Sequence, residues 1–130
     1  DGVHVGQADM PVEMARALLP PDAIIGLSIT SSDDMARPDA EASDYLGVGP
    51  IHAQSTKADA TAPLGVAGFG ALRALSGKPM MAIGGIDAEN CAPLLEMGAD
   101  GLAVVSAIMA ARDPREAASA FDARLKAAGK

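Results

Sequence analysis

The chain has 130 residues, enough for one domain, and 49% are hydrophobic while only 2% are aromatic, so the core must be chiefly Ala, Val, Ile, Leu and Met. Lys and Arg number 10 against 17 Asp and Glu, giving a net charge of -7, which excludes a surface-wide basic field for nucleic acid or an anionic membrane. No run reaches the roughly 20 apolar residues of a membrane helix, and the single Cys91, which can form no internal disulfide, reads as a buried thiol in a reducing, cytoplasmic compartment.

The first run, "GVHVG" from Gly2, is short and mostly apolar and reads as a strand. Asp9 follows it in "GQADMP", where it suits either capping of the helix that Pro11 introduces over 12–19 or coordination of Mg²⁺, which prefers hard carboxylate and phosphate oxygens. The second strand is "AIIGLS" from Ala23, ending at Ser28, whose hydroxyl could donate to a pyrophosphate. A helix over 33–43 comes next, short or kinked because Pro38 interrupts it.

The third strand, "YLGVG" from Tyr45, runs into the polar stretch "PIHAQSTKADA". Lys57 is the cation of that stretch and stands beside Ser55 and Thr56, so charge and hydroxyl donors could meet phosphate oxygens together; a solvated lysine is the other reading. A helix over 67–75 leads to the fourth strand, "MMAIGG" from Met80, and Asp87 suits an N-cap for a helix over 88–97. The fifth strand is "LAVVS" from Leu102, and the last helix covers 114–128, with Asp113 as cap and Pro114 at its first position.

Continuous apolar runs, rather than alternating ones, belong to strands buried on both faces, as in parallel sheets covered by helices. The strands recur at intervals of 21, 21, 35 and 22 residues, counted from Val3, Ile24, Tyr45, Met80 and Leu102. Five βα units in steady rotation indicate an α/β fold, either a barrel or an open doubly wound sheet, in a single domain over 1–130. The oversized third interval holds the polar stretch, and a loop that long is typically functional or disordered.

In such folds ligands gather at the carboxyl ends of the strands. There, Gly84 and Gly85 let backbone N–H groups approach a ligand closely, and Ser106 follows the next strand. Two adjacent units ending this way suit a phosphate cradle, while a tight turn and a helix cap are the bland alternative. Acidic-then-small pairs at the other ends, Asp1-Gly2, Asp44-Tyr45 and Asp100-Gly101, read as structural turns. Two histidines, His4 and His52, with one cysteine and no ligand-spaced pair give no zinc site, and no Gly-x-Ser-x-Gly elbow supplies a nucleophile.

Taken in order, "DGVHVGQADMP", "IIGLSIT", "DYLGVGPI", "STKADA", "PLGVAG", "AIGGIDAEN" and "GADGLAVVSAI" resemble the thiamine-phosphate synthase family over nearly the whole chain. The resemblance implies a (β/α)8 TIM barrel, of which these five strands are the fourth to eighth. It implies an enzyme that joins hydroxymethylpyrimidine diphosphate to thiazole phosphate with Mg²⁺, releasing pyrophosphate. By position, Asp9 matches a Mg²⁺ carboxylate, Ser28 and Lys57 match residues at the pyrophosphate, and Thr56 matches a thiazole-phosphate contact. Gly85, Val105 and Ser106 match the phosphate cradle, Val105 through its backbone.

Ala53-Gln54 departs from the family's Pro-Thr or Ala-Thr at the head of the loop, and the amide of Gln54 would have to supply that phosphate contact. The family's first three βα units, with a second Mg²⁺ ligand, have no counterpart here. The expectation is therefore a portion of a longer protein, inactive by itself and open to self-association along its sheet edges. A thiazole tautomerase relative, which shares the barrel and cradle but needs neither pyrophosphate nor Mg²⁺, is the alternative activity; a non-catalytic half-barrel is the alternative class.

Overall fold

The computed structural model describes residues 1–53 and 62–130. Five strands, β1 (Gly2–Val5), β2 (Ile24–Ile29), β3 (Tyr45–Val48), β4 (Met80–Ile83) and β5 (Gly101–Ala103), lie in chain order in one sheet, every neighbouring pair parallel. Each crossover carries helix: α1 (Val12–Leu18), the pair α2 (Ser32–Met35) and α3 (Pro38–Ala42), α4 (Gly65–Arg73) and α5 (Ala92–Glu96). After β5 come α6 (Ser106–Met109) and α7 (Pro114–Ala127). Among the described residues no helix is long and apolar enough to cross a membrane.

The pleat divides the strand residues between two faces. One face is covered: Ile25, Leu27 and Ile29 of β2, Leu46 and Val48 of β3, and Met80 and Ala82 of β4 are buried against helix residues that include Val12, Phe69 and Leu94. Burying each of the larger side chains contributes about 1.5–3 kcal/mol, so this layer dominates the stability. Both phenylalanines of the chain, Phe69 and Phe121, sit in it, which leaves Tyr45 as the one aromatic outside the core.

The alternate residues form the open face. His4, Gly26 and Tyr45 are paired across β1, β2 and β3, and Gly47, Met81 and Gly101 across β3, β4 and β5. Large side chains thus alternate with glycines laterally. A Cβ on Gly101 would come within 2.7 Å of the Met81 methyl carbon, so the larger neighbour lies over the bare backbone.

At the opposite end from the candidate site, Asp44 and Asp100 do the same job in two units. Asp44 Oδ2 accepts the Ile25 N–H at 2.6 Å, and Asp100 Oδ2 accepts the Met80 N–H at 2.9 Å. Each carboxylate therefore satisfies an amide at the start of the preceding strand, the second residue of β2 and the first of β4, which bears out the structural reading of these two positions.

Two local expectations are corrected, and one is borne out. Asp87 does not start a helix over 88–97: its Oδ1 accepts from Glu89 and Asn90 N–H groups while Asn90 Oδ1 accepts the Asp87 N–H, closing a turn, and α5 begins only at Ala92. The fifth strand stops at Ala103, because Val105 turns out of extended geometry (ψ -76°) and Ser106 opens α6. The segment over 33–43 divides into α2 and α3 with Pro38 at the head of the second, as the proline requires.

Beside β1 an apolar groove of about 350 Å³ runs between the strand and α1, lined by Val3, Met10, Leu18 and Leu19 with His4 and Asp9 at its polar margin. Among the described residues β1 and β5 each pair on one side only.

Candidate functional site

The carboxyl ends of the five parallel strands form one rim, and most of the sequence-predicted residues lie along it. After β1 the chain turns through Gly6–Asp9, closed by the Asp9 N–H donating to Gly6 C=O at 3.1 Å and the Gly6 N–H donating to Asp9 Oδ2 at 2.7 Å. Asp9 is exposed there and does not cap α1; the Val12 N–H donates instead to Asp39 Oδ1 at 2.8 Å. Its carboxylate is held by one backbone amide and otherwise faces outward.

Ser28 sits on the open face near the end of β2. Its carbonyl accepts the Gln7 side-chain amide at 2.6 Å, and Gln7 Oε1 accepts from Arg37 Nη1 at 2.6 Å. Arg37 is the N-cap residue of α3 and pairs with Asp39 at 3.5 Å, so one chain of contacts carries a guanidinium to the rim above Ser28. The Ser28 hydroxyl lies 3.0 Å from His4 Nε2, and His4 Nδ1 lies 2.9 Å from the Tyr45 hydroxyl. Burial holds the His4 imidazole below its ordinary value of 6.5, so the ring is neutral at physiological pH.

At β4 and β5 the expected cradle positions follow strands in register. Gly85 and Val105 each lie two residues beyond the paired Ile83 and Ala103. Gly84 and Gly85 have φ of 101° and 63°, the left-handed region in which a side chain is strained, so the glycines are required by the turn itself. Gly85 C=O accepts from Asn90 Nδ2 at 3.0 Å, which fixes the turn to the start of α5. Val105 is 70% exposed and Ser106 is exposed beside it at the first position of α6.

Gln54, Thr56 and Lys57 lie outside the described residues. Their flanks are ordered on the same rim: Ile51 and His52 N–H groups donate to Ile83 and Gly84 C=O at 3.0 Å each. Leu64 and Gly65 N–H groups donate back to Pro50 and Ile51 C=O at 2.9 Å each. His52 Nε2 is buried without a hydrogen-bond partner among the described residues, and the residue packs over Gly85.

Among the described residues no three His, Cys, Asp or Glu side chains converge on one point, so an all-protein metal cage is absent from them. One outward-facing carboxylate at the rim, Asp9, fits an ion such as Mg²⁺ that takes one or two protein carboxylates and fills its shell with water and substrate oxygens. Cys91 is fully buried behind the sheet, and burial pushes its thiol above the ordinary value, so it takes no part in chemistry at the rim.

Sequence reasoning missed the roles of His4, Tyr45, Gln7 and Arg37. The signal for the first two was available: counting by twos places His4, Ser28 and Tyr45 on one strand face, with Gly26 and Gly47 as the small residues that make room. Gln7 and Arg37 carried no such signal, since their meeting depends on how α3 docks.

The matches to known proteins cover this same rim. The family model described as thiamine monophosphate synthase matches residues 1–108. A thiamine-phosphate synthase of Albidiferax ferrireducens is 51% identical over 117 residues, covering 90% of this chain and 53% of its own length. One of Xanthobacter autotrophicus is 50% identical over 128 residues, covering 98% and 61%. The solved thiamine phosphate pyrophosphorylase of Pyrococcus furiosus superposes with a TM-score of 0.86 at 33% identity, covering 98% of this chain and 60% of the other. The chain thus spans between half and two thirds of these relatives' length, and within that span it belongs to the thiamine monophosphate synthase family.

Proposed function

We propose that the protein is a thiamine-phosphate synthase, a transferase that joins a pyrimidine diphosphate to a thiazole phosphate in the cytoplasm. The observation that carries this reading is the identity of about half the residues with proteins so named, over the whole stretch that supplies Asp9, Ser28, Gly85 and Ser106 to one rim. In the same reading the five strands are the fourth to eighth of an eight-stranded barrel, which the 60% coverage of the Pyrococcus chain supports.

The reaction breaks the bond between the pyrimidine methylene carbon and the diphosphate oxygen, whose electron pair leaves with pyrophosphate. The thiazole nitrogen then gives its lone pair to that carbon. No protein nucleophile is needed. The protein's task is to position two anionic substrates and offset charge growing on the leaving group. Ser28 and Lys57 donate to the diphosphate; Thr56, Gln54, Gly85, Val105 and Ser106 hold the thiazole phosphate, the last three through the turns after β4 and β5. Asp9 would hold Mg²⁺, which when bound neutralises diphosphate oxygens.

The test is to incubate the full-length protein with both phosphorylated substrates and Mg²⁺ and follow thiamine phosphate and pyrophosphate. Formation of both is expected, with turnover lowered at least about a hundredfold in Lys57→Ala, the scale of losing one charge-stabilising donor. Isomerised thiazole phosphate with no thiamine phosphate would sink the synthase reading in favour of a tautomerase.

A further inference from the structure

His4 joins three strands on the open face. Its ring rests on backbone rather than on side chains: a Cβ on Gly47 would lie 2.8 Å from His4 Cε1, and one on Gly26 would strike both His4 Nδ1 and the Tyr45 ring. The two ring nitrogens then reach opposite ways, Nδ1 to Tyr45 at 2.9 Å and Nε2 to Ser28 at 3.0 Å. A neutral imidazole has one donor and one acceptor, so only two arrangements are open.

With the proton on Nδ1, the ring donates to the Tyr45 oxygen and Nε2 accepts the Ser28 hydroxyl hydrogen. Ser28 then shows only lone pairs to the open face and repels an anion. With the proton on Nε2, the Tyr45 hydroxyl donates to Nδ1, Nε2–H donates to Ser28 Oγ, and the Ser28 hydrogen is released toward the face. The phenol, with an ordinary pKa of about 10, is a stronger acid and hence a stronger donor than an aliphatic hydroxyl, so the imidazole lone pair prefers it.

We propose that His4 and Tyr45 are positioning residues: Tyr45 fixes the Nε2–H form of His4, and His4 in turn turns the Ser28 hydroxyl hydrogen outward to an oxyanion of the substrate diphosphate. This rests on the reading that Ser28 meets that diphosphate. Neutrality of His4 is necessary to it, and the partial burial that lowers the imidazole pKa favours it. A Gln7 amide on the Ser28 carbonyl at 2.6 Å holds the backbone of the same residue while the side chain is aimed.

The test uses the full-length protein with ¹⁵N-labelled histidine and inorganic pyrophosphate as probe. Long-range ¹H–¹⁵N spectra should show His4 with a pyrrole-type Nε2 and a pyridine-type Nδ1, and Tyr45→Phe should move population toward Nδ1–H. Pyrophosphate affinity should fall on the order of tenfold in Ser28→Ala, the worth of a hydrogen bond to a charged group, and by a smaller factor in Tyr45→Phe. The double variant should bind no more weakly than Ser28→Ala alone, because Tyr45 acts only through Ser28. Nδ1–H in the parent protein, or additive losses in the double variant, overturns the relay even if Ser28→Ala binds weakly. Undiminished binding by Ser28→Ala, with the tautomer as expected, removes Ser28 from the diphosphate site and the positioning role with it.

Discussion

Asp44 and Ile25 clasp each other at two points: the Asp44 carboxylate accepts the Ile25 N–H at 2.6 Å, and the Asp44 N–H donates to the Ile25 carbonyl at 2.7 Å. The same carboxylate takes Arg16 Nη2 at 2.7 Å, and Arg16 Nη1 donates to the Ala23 carbonyl, so α1, β2 and β3 meet on one side chain. Asp44→Ala should lower stability by about 1–2 kcal/mol, the cost of orphaning a partly buried amide, at the low end because the side chain is half exposed. Urea unfolding measures it, and an unchanged midpoint would show that water replaces the carboxylate without cost.

Acid should unfold the protein through this residue and Asp34. The Arg16 guanidinium, then the Ile25 amide, hold the Asp44 carboxyl below the ordinary 3.8. At Asp34 burial pushes the other way, but hydrogen bonds from Thr30 and Ser31 outweigh it and its pKa is also lowered. Both values are depressed in the fold, so both carboxylates contribute stability that is fully present above the unfolded value and lost as pH falls through the lower folded value. Melting temperature should drop below about pH 4, and Asp34→Asn should flatten that drop while lowering stability at neutral pH.

Gly26→Ala tests the seating of His4. The new methyl would strike the ends of His4 and Tyr45, which can swing toward the open face, so the stability cost should stay near the lower end of the roughly 1–3 kcal/mol for overpacking. The two hydrogen bonds would be lost with the swing. Thermal unfolding should move by a few degrees while the His4 imidazole signals move to solvent-like positions; unchanged histidine signals would mean that the glycine is not needed.

Cys91 should be inert. It is fully buried, its Sγ lies 3.7 Å from the Ala88 carbonyl, and its thiol is raised above the ordinary value by burial. Labelling by an aromatic disulfide should occur at the rate at which the protein opens, and rise with urea in step with unfolding. Prompt labelling in native buffer would place the thiol at the surface.

The strands were legible because their runs are short and mostly apolar, and three of the five end at glycines, Gly6, Gly49 and Gly84. The helix after Pro11 and the cap at Asp113 were equally plain, the latter confirmed by its acceptance of Arg115 and Glu116 N–H groups. What the sequence concealed was competition between equally good local signals. Asp87 is a fair helix cap by type, yet Asn90 three residues on offers it a reciprocal turn, and the turn wins. At the site, Asp9, Ser28 and the glycines of β4 could be placed at strand ends from spacing alone. The contacts among Gln7, Arg37 and Ser28 span up to 30 residues and arise only when α3 docks.

The bonds from Leu64 and Gly65 back to Pro50 and Ile51 return the chain almost to where it left. The end of β3 and the start of α4 are thus tied to each other directly by backbone bonds. Doubling the number of residues between those bonds would cost only about 0.6 kcal/mol in closure entropy. Replacing the residues between those bonds with a relative's segment of different length should therefore leave the melting temperature nearly untouched.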